Sequence, residues 1–175
     1  MRRFQNGFTI IEMVVAIVIV GILSAVTLSR FMGGNAFNAP IVRDQIISLA
    51  RIAQQSALGR NDVEMTITPN PAGTSVFIEV TDSNGANQIS AETLSLESVV
   101  LSGDANNTDS CAPGDAGVAI SNGNPMELVF GELGGLEEVS GVAVTSAVRI
   151  CINSNASDSV CLSPSGFAYG GVCDA

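Results

Sequence analysis

Residues 8–28 form one apolar run, FTIIEMVVAIVIVGILSAVTL, in which Glu12 is the single charged residue. A helix rises about 1.5 Å per residue, so a run of this length matches the roughly 30 Å hydrocarbon core of a bilayer. The sequence therefore predicts a membrane-spanning helix. Arg2 and Arg3 precede the run. Because basic residues beside a first span stay on the cytoplasmic side, we expect the rest of the chain to be exported.

An ordinary secretory signal peptide is the alternative interpretation of this run. Its apolar stretch is about 7–15 residues long and ends at an A-x-A-like cleavage site, with no acid near its start. Ser24-Ala25 matches such a site poorly. A lipoprotein signal fits less well still, because the first cysteine of the chain is Cys111.

Glu12 requires a physical reason for its place in the apolar run. An ionised carboxylate inside a bilayer is costly, and such groups persist where they have a partner or a function. Cleavage between Gly7 and Phe8 would create a cation, the new α-amino group of Phe8, on the same helical face as Glu12. The alternative is an acid tolerated near the end of an ordinary anchor, where the membrane interface lowers its cost.

The leader resembles a known signal. A short basic segment that ends in Gly, followed by Phe, a Glu at the fifth position and an apolar helix, is similar to the type III signal of type IV pilins and type II secretion pseudopilins. The matching residues are G-F-T-I-I-E, from Gly7 to Glu12. The resemblance implies a leader over 1–7, cleavage after Gly7 by the membrane-embedded prepilin peptidase, N-methylation of Phe8, and use of Glu12 to register incoming subunits.

A second helix is predicted over 35–59. Gly59 is its expected stop, and its apolar residues recur at three- and four-residue spacing. These residues are Ile41, Val42, Ile46, Leu49, Ala50 and Ala53. In pilins the segment corresponding to 8–59 is one long N-terminal helix; here Gly33-Gly34 and Pro40 predict a bend or a break in it.

Residues 60–175 change to short β-branched runs separated by turn residues. The predicted strands are Val63–Thr68, Ser75–Thr81, Thr93–Leu101, Gly117–Ile120, Met126–Phe130, Val139–Ile152, Val160–Leu162 and Phe167–Tyr169. A helix followed by antiparallel strands predicts an α+β fold, with the helix laid across one face of a sheet. We expect 60–175 to be a β-rich globular domain outside the cytoplasm.

This domain carries a second resemblance. The segments LVFGELGGLE and VCLSPSGFAYGG, with the region after the span, are similar to minor subunits with a GspH/FimT-like domain. Arg30-Phe31, Phe37 and the helix VRDQIISLARIAQQ are most similar to a minor pilin of mannose-sensitive haemagglutinin (MSHA) pili.

All four cysteines lie in the part predicted to be exported, where disulfides are favoured. Val142–Ile152 and Val160–Leu162 indicate a hairpin with a polar loop over Asn153–Ser159. This hairpin favours Cys151 with Cys161, which leaves Cys111 with Cys173, although the other two connectivities remain open. A zinc site is the weaker alternative, because the chain has no His and no C-x₂-C spacing.

Composition narrows the chemistry. The chain has no Lys and no His, which excludes His-dependent triads and lysine-based catalysis, so we expect no enzyme and no cofactor. Residues 61–175 hold fifteen acids and Arg149 alone as a cation, a charge that argues against nucleic acid as a partner. Asp104, Asp109 and Asp115 could offer oxygens to Ca²⁺, but without the EF-hand spacing they are typical of a solvated loop.

The resemblance implies a structural function. The precursor would be a single-pass inner-membrane protein with a periplasmic domain, cut by prepilin peptidase, delivered to the inner-membrane assembly platform and joined to other pilin subunits in an extracellular pilus. There it would contribute to pilus biogenesis and surface adhesion. The alternatives are a type II secretion minor pseudopilin, a DNA-binding minor pilin, and an enzyme, sensor or binding domain on a plain membrane anchor.

Overall fold

The computed structural model describes residues 9–31, 35–82, 85–97, 99–106, 108, 110–112, 114 and 117–173. Over these residues the chain forms two helices followed by eleven strands. The helices are α1 (Ile10–Phe31) and α2 (Asn35–Ala57). The strands are β1 (Val63–Pro69), β2 (Ser75–Asp82), β3 (Asn87–Ser95), β4 (Leu101–Asp104), β5 (Val118–Ala119), β6 (Met126–Phe130), β7 (Leu136–Val139), β8 (Val142–Ala143), β9 (Val148–Ile152), β10 (Asn155–Leu162) and β11 (Ala168–Gly170).

The chain divides after Ala36 into two compact units. The first contains α1, and the second, from Phe37 onward, contains most of α2 and all eleven strands. An α+β fold with a helix before antiparallel strands is therefore confirmed. Residues 32–34, which include Gly33-Gly34, lie outside the described residues, so the single long helix over 8–59 stays a prediction.

The amphipathic pattern of α2 decides which of its faces is buried. Five of the six predicted stripe residues are at most 3% exposed, whereas Ile41 is 54% exposed and lies off the buried face. Pro40 lies inside α2, and the helix continues through it. The helix ends where expected, because Gly59 adopts a positive φ of 74° and donates its N–H to the carbonyl of Glu132.

Two antiparallel sheets replace the single sheet that the sequence predicts. The six-stranded sheet has the order β3-β2-β1-β6-β7-β8, and the five-stranded sheet has the order β11-β10-β9-β4-β5. The inward-facing residues of both sheets join the buried stripe of α2 in one hydrophobic core. Its largest fully buried side chains include Phe130, Ile46, Met65 and Ile150, contributed by α2 and by both sheets.

Two predicted strands are wrong in extent. The predicted strand Thr93–Leu101 ends instead at Ser95, and the chain crosses to the other sheet before resuming at Leu101. The predicted strand Val139–Ile152 is interrupted by a tight turn, because Ser140 and Gly141 both have positive φ, at 47° and 77°. That pair of angles is typical of a type I′ hairpin, so β7 and β8 pair with each other and β9 belongs to the other sheet.

The hairpin that carries two cysteines turns earlier than predicted. Asn153 and Ser154 have positive φ of 53° and 51°, so the turn occupies these residues and not the whole segment Asn153–Ser159. After a register shift in β10, Cys161 lies opposite Arg149 of β9. Cys151 and Cys161 are thus diagonal neighbours, about 7–8 Å apart, which is beyond the reach of a disulfide.

The predicted pairing of Cys151 with Cys161, and of Cys111 with Cys173, is therefore wrong, although all four cysteines form disulfides as expected. The bonds join Cys111 to Cys151 and Cys161 to Cys173, with Cα–Cα distances of 5.5 and 5.4 Å. On β9 and β10 the cysteines alternate with core residues, so both bonds lie on the face of the five-stranded sheet that is turned away from the core. They fasten the loop after β4 and the C-terminal tail to that face.

The disulfide map can be checked by digesting the unreduced protein after Arg and before Asp. Cleavage after Arg149 and before Asp158 separates Cys151 from Cys161. We expect the peptide of Cys151 to be joined only to the peptide of Cys111, while the peptide beginning at Asp158 keeps an internal bond to Cys173. A species in which all three peptides are joined would contradict this map.

Candidate functional site

Two side chains at the start of α1 bond to each other's backbone. The N–H of Glu12 donates to Oγ1 of Thr9 at 3.3 Å. The N–H and the hydroxyl of Thr9 both donate to Oε2 of Glu12, each at 2.9 Å. This reciprocal pattern is the capping box, in which the N-cap and N3 residues satisfy N–H groups that the first helical turn leaves open. It explains why the helix begins at Ile10.

The capping box gives Glu12 a partner that the sequence analysis did not identify. Both hydrogen bonds from Thr9 reach Oε2, so Oε1 accepts none from the residues that the structure describes. The carboxylate is held at the end of the helix with one oxygen open to a further donor. Gly7 and Phe8, the predicted cleavage and methylation residues, lie outside the described residues, so a bond between the Phe8 amine and Glu12 stays a prediction.

Thr9 is the functional residue that the sequence analysis missed. Its signal was present, because Thr9 and Glu12 have the spacing T-x-x-E immediately before an apolar run, which is the sequence pattern of a capping box.

From Ile10 to Leu23 the surface of α1 is apolar on all sides, apart from Glu12. From Ile10 to Leu23 its large apolar side chains are between 49% and 86% exposed. A Cβ added to Gly21 would have no neighbouring atom within 4 Å, so there is open space beside the helix at this position. A helix that is hydrophobic all round belongs in a membrane or in a protein interior. Over the residues that the structure describes, no helix combines the length and the hydropathy that crossing a membrane requires.

Asp104, the first of the three aspartates considered as calcium ligands, has a local structural role. Asp104 ends β4 and is 8% exposed, and its Oδ1 accepts the N–H of Asn106 at 3.0 Å. The hydroxyl of Thr108 also lies within 3.5 Å of this carboxylate. Asp104 therefore shapes the turn after β4 and is not part of a solvated loop. Asp109 and Asp115 lie outside the described residues, and no group of potential metal ligands is found among the described ones.

The domain presents few cations to solvent. Arg149 is 8% exposed and lies on β9 beside the cysteines. Arg60 forms an ion pair with Asp82 at 3.3 Å, and Arg43 forms one with Asp44 at 2.9 Å. The single cation predicted for residues 61–175 is thus buried, which removes it from any surface that could meet a phosphate backbone.

Comparison with known proteins agrees with the position of the candidate site. A family profile described as the prokaryotic N-terminal methylation motif matches residues 2–28, which include the capping box and most of α1. The chain is also similar to the type IV major fimbrial protein FimA of Dichelobacter nodosus, at 25% identity, over 75% of this chain and 76% of that protein. No solved structure shows significant similarity to the chain.

The capping box predicts the effect of Thr9→Ala. Loss of the N-cap hydroxyl should increase amide hydrogen exchange at Glu12 about fivefold, because the Glu12 N–H loses its acceptor, Oγ1 of Thr9. Exchange would be measured by NMR on the full chain in detergent micelles. Ser24→Ala is the matched control, since Ser24 Oγ donates to the Val20 carbonyl at 2.7 Å, inside the same helix. Equal exchange in the wild type and Thr9→Ala would contradict the capping box.

Proposed function

We propose that this chain, a type IV pilin-like protein by its N-terminal motif, its helix-then-sheet fold and its fimbrial relative, is a minor structural subunit of a type IV pilus, of the MSHA type. Its α1 is the assembly element, and the β-rich domain is the part displayed to the surroundings. The observation that carries the proposal is the exposed apolar surface of α1, which begins at a capped carboxylate.

The route to the fibre begins in the inner membrane. We propose a single-pass precursor with the leader 1–7 in the cytoplasm and the domain in the periplasm, in accord with Arg2 and Arg3. Prepilin peptidase would cut after Gly7, and Phe8 would then be N-methylated. The match of the methylation motif to residues 2–28 supports this processing.

Glu12 would act once the subunit leaves the membrane. The open Oε1 of Glu12 offers an acceptor to a Phe8 α-amine, and the capping box keeps the carboxylate at the helix end where that amine would be created. The pair would lower the cost of moving α1 from lipid into the packed helices of the pilus, since two opposite charges would be buried together. Other pilin subunits and the inner-membrane assembly platform are the partners of this step.

We propose a structural and adhesive role and no catalytic one. Without His or Lys in the chain, the common nucleophile–base pairs cannot form, and no cofactor is required for assembly. The two disulfides fasten a loop and the C-terminal tail of the displayed domain. That reinforcement suits a surface that contributes to adhesion outside the cell.

Two alternatives remain within the same family of machines. A type II secretion minor pseudopilin would carry the same signal and the same helix, so the residues favour neither. A DNA-binding minor pilin is disfavoured, because Arg149 is buried and residues 61–175 carry fifteen acids.

Processing tests the proposal. The full chain would be produced in a host with prepilin peptidase and in one without it, and its intact mass and first residue would be measured after membrane extraction. We expect a chain that begins at methylated Phe8 only where the peptidase is present. An uncut chain in both hosts, or cleavage near Ala25, would contradict the proposed pathway. Gly7→Val should block cleavage, whereas Gly21→Val, a matched change inside the helix, should not.

A further inference from the structure

Copies of this chain repel one another unless a specific contact offsets their charge. The net charge is −10, and only four arginines lie in the unit that begins at Phe37. Three of them are already engaged or buried: Arg43 pairs with Asp44, Arg60 pairs with Asp82, and Arg149 is 8% exposed. Among the described residues of this unit, Arg51 is the exposed arginine that has no carboxylate partner.

Arg51 is held in one orientation by β11. Its Nε and Nη2 donate to the carbonyl of Ala168, at 3.3 and 3.1 Å. Its guanidinium carbon lies 5.5 Å from the centroid of the Phe167 ring, which in turn stacks on Tyr169 at 6.2 Å. Phe167 is 52% exposed, so the cation and the ring form an open surface, which we call the Arg51 platform. The Nη1 group has no acceptor among the described residues and is available to a carboxylate.

An acidic and apolar loop lies on the same side of the domain. Glu132 and Leu133, between β6 and β7, form what we call the Leu133 knob, and Leu133 is 92% exposed. The next residue, Gly134, packs on the end of α2, where an added Cβ would lie 3.2 Å from the Gln54 carbonyl and from Leu58. Gln54 also donates to the carbonyl of Ser165, at 2.9 Å, which ties the loop before β11 to the same helix. Platform and knob are therefore both anchored on the C-terminal half of α2.

The two surfaces are complementary in chemistry. The platform offers a cation beside an exposed aromatic ring, and the knob offers a carboxylate beside an exposed leucine. We infer that the Arg51 platform of one copy binds the Leu133 knob of a second copy of this chain, with Glu132 on the guanidinium and Leu133 on the Phe167 ring. Because each copy carries both surfaces on one side, two copies can meet face to face and form the contact twice. The inference rests on the proposed role of the chain as an assembled subunit.

Complementary charge reversals test this contact. Arg51→Glu and Glu132→Arg would be made in the full-length precursor, in a host without prepilin peptidase, with two different N-terminal tags. Retrieval of one tagged copy by the other would be measured in excess detergent, so that most micelles hold one chain. Neither processing nor fibre assembly enters this assay, so its failure is distinct from failure of the proposed function.

We expect each reversal alone to lower retrieval at least about tenfold, because it places like charges opposite each other in both contacts. A mixture of the two variants should return to within about twofold of the wild type, since both contacts then join opposite charges. That recovery also shows that each variant is folded. Glu127→Arg is the matched control, because Glu127 is an exposed residue outside the two surfaces, and it should retain wild-type retrieval.

Three results would overturn the inference. The first is a mixture whose retrieval stays as low as that of either variant alone. The second is an equal loss of retrieval in the Glu127→Arg control, which would indicate net charge as the cause. The third is an absence of retrieval between wild-type copies.

Discussion

The apolar surface of α1 has to be removed from water, and both helices serve this protein in different ways because of it. Over the described residues the hydrophobic core of the domain takes its helical part from α2, beginning at Ala39. The large apolar side chains of α1 remain exposed from Ile10 to Leu23. Burying them in lipid or against other helices is favourable in proportion to the apolar area that leaves water. We propose that the membrane supplies this environment before assembly and the fibre supplies it afterwards.

The domain has a hydrophobic core of its own, to which α2 contributes. The stripe of α2 that contains Ile46 and Ala50 is fully buried against both sheets. The outer face of the five-stranded sheet is covered by segments fixed through Cys151 and Cys161. Residues 61–175 carry fifteen acids, so like charges repel wherever two such surfaces meet, and the proposed contact at Arg51 offsets part of that repulsion.

Much of this organisation could be predicted from the sequence. Spacing in α2 identified Val42 and Ile46 as core residues, and β-branched runs located Val63–Pro69 and Met126–Phe130 to within one residue. These signals are local, because the spacing of apolar residues within one segment is enough to predict a buried stripe or a strand. The G-F-T-I-I-E motif located the candidate site for the same reason, although it did not predict the capping role of Thr9.

What could not be predicted depends on contacts between distant segments. The change of sheet between Ser95 and Leu101 is not encoded in either strand alone, because it depends on which strands each segment pairs with. The predicted disulfide pairing is wrong for a related reason. A turn at Asn153-Ser154 and a register shift in β10 place Cys161 opposite Arg149, which lies two residues before Cys151. The amino-acid composition of two strands does not reveal a change of one or two residues in their register, yet that change decides which side chains lie opposite each other.

We propose that α1, with Glu12 at its start, is the assembly element of this protein. The most direct measurement is the amount of mature chain recovered in sheared extracellular fibres from cells that carry wild type, Glu12→Ala, or the domain control Glu127→Ala. We expect wild-type amounts for Glu127→Ala, and a Glu12→Ala chain that is cut normally but stays in the membrane. Recovery of Glu12→Ala in fibres at the wild-type amount would contradict it.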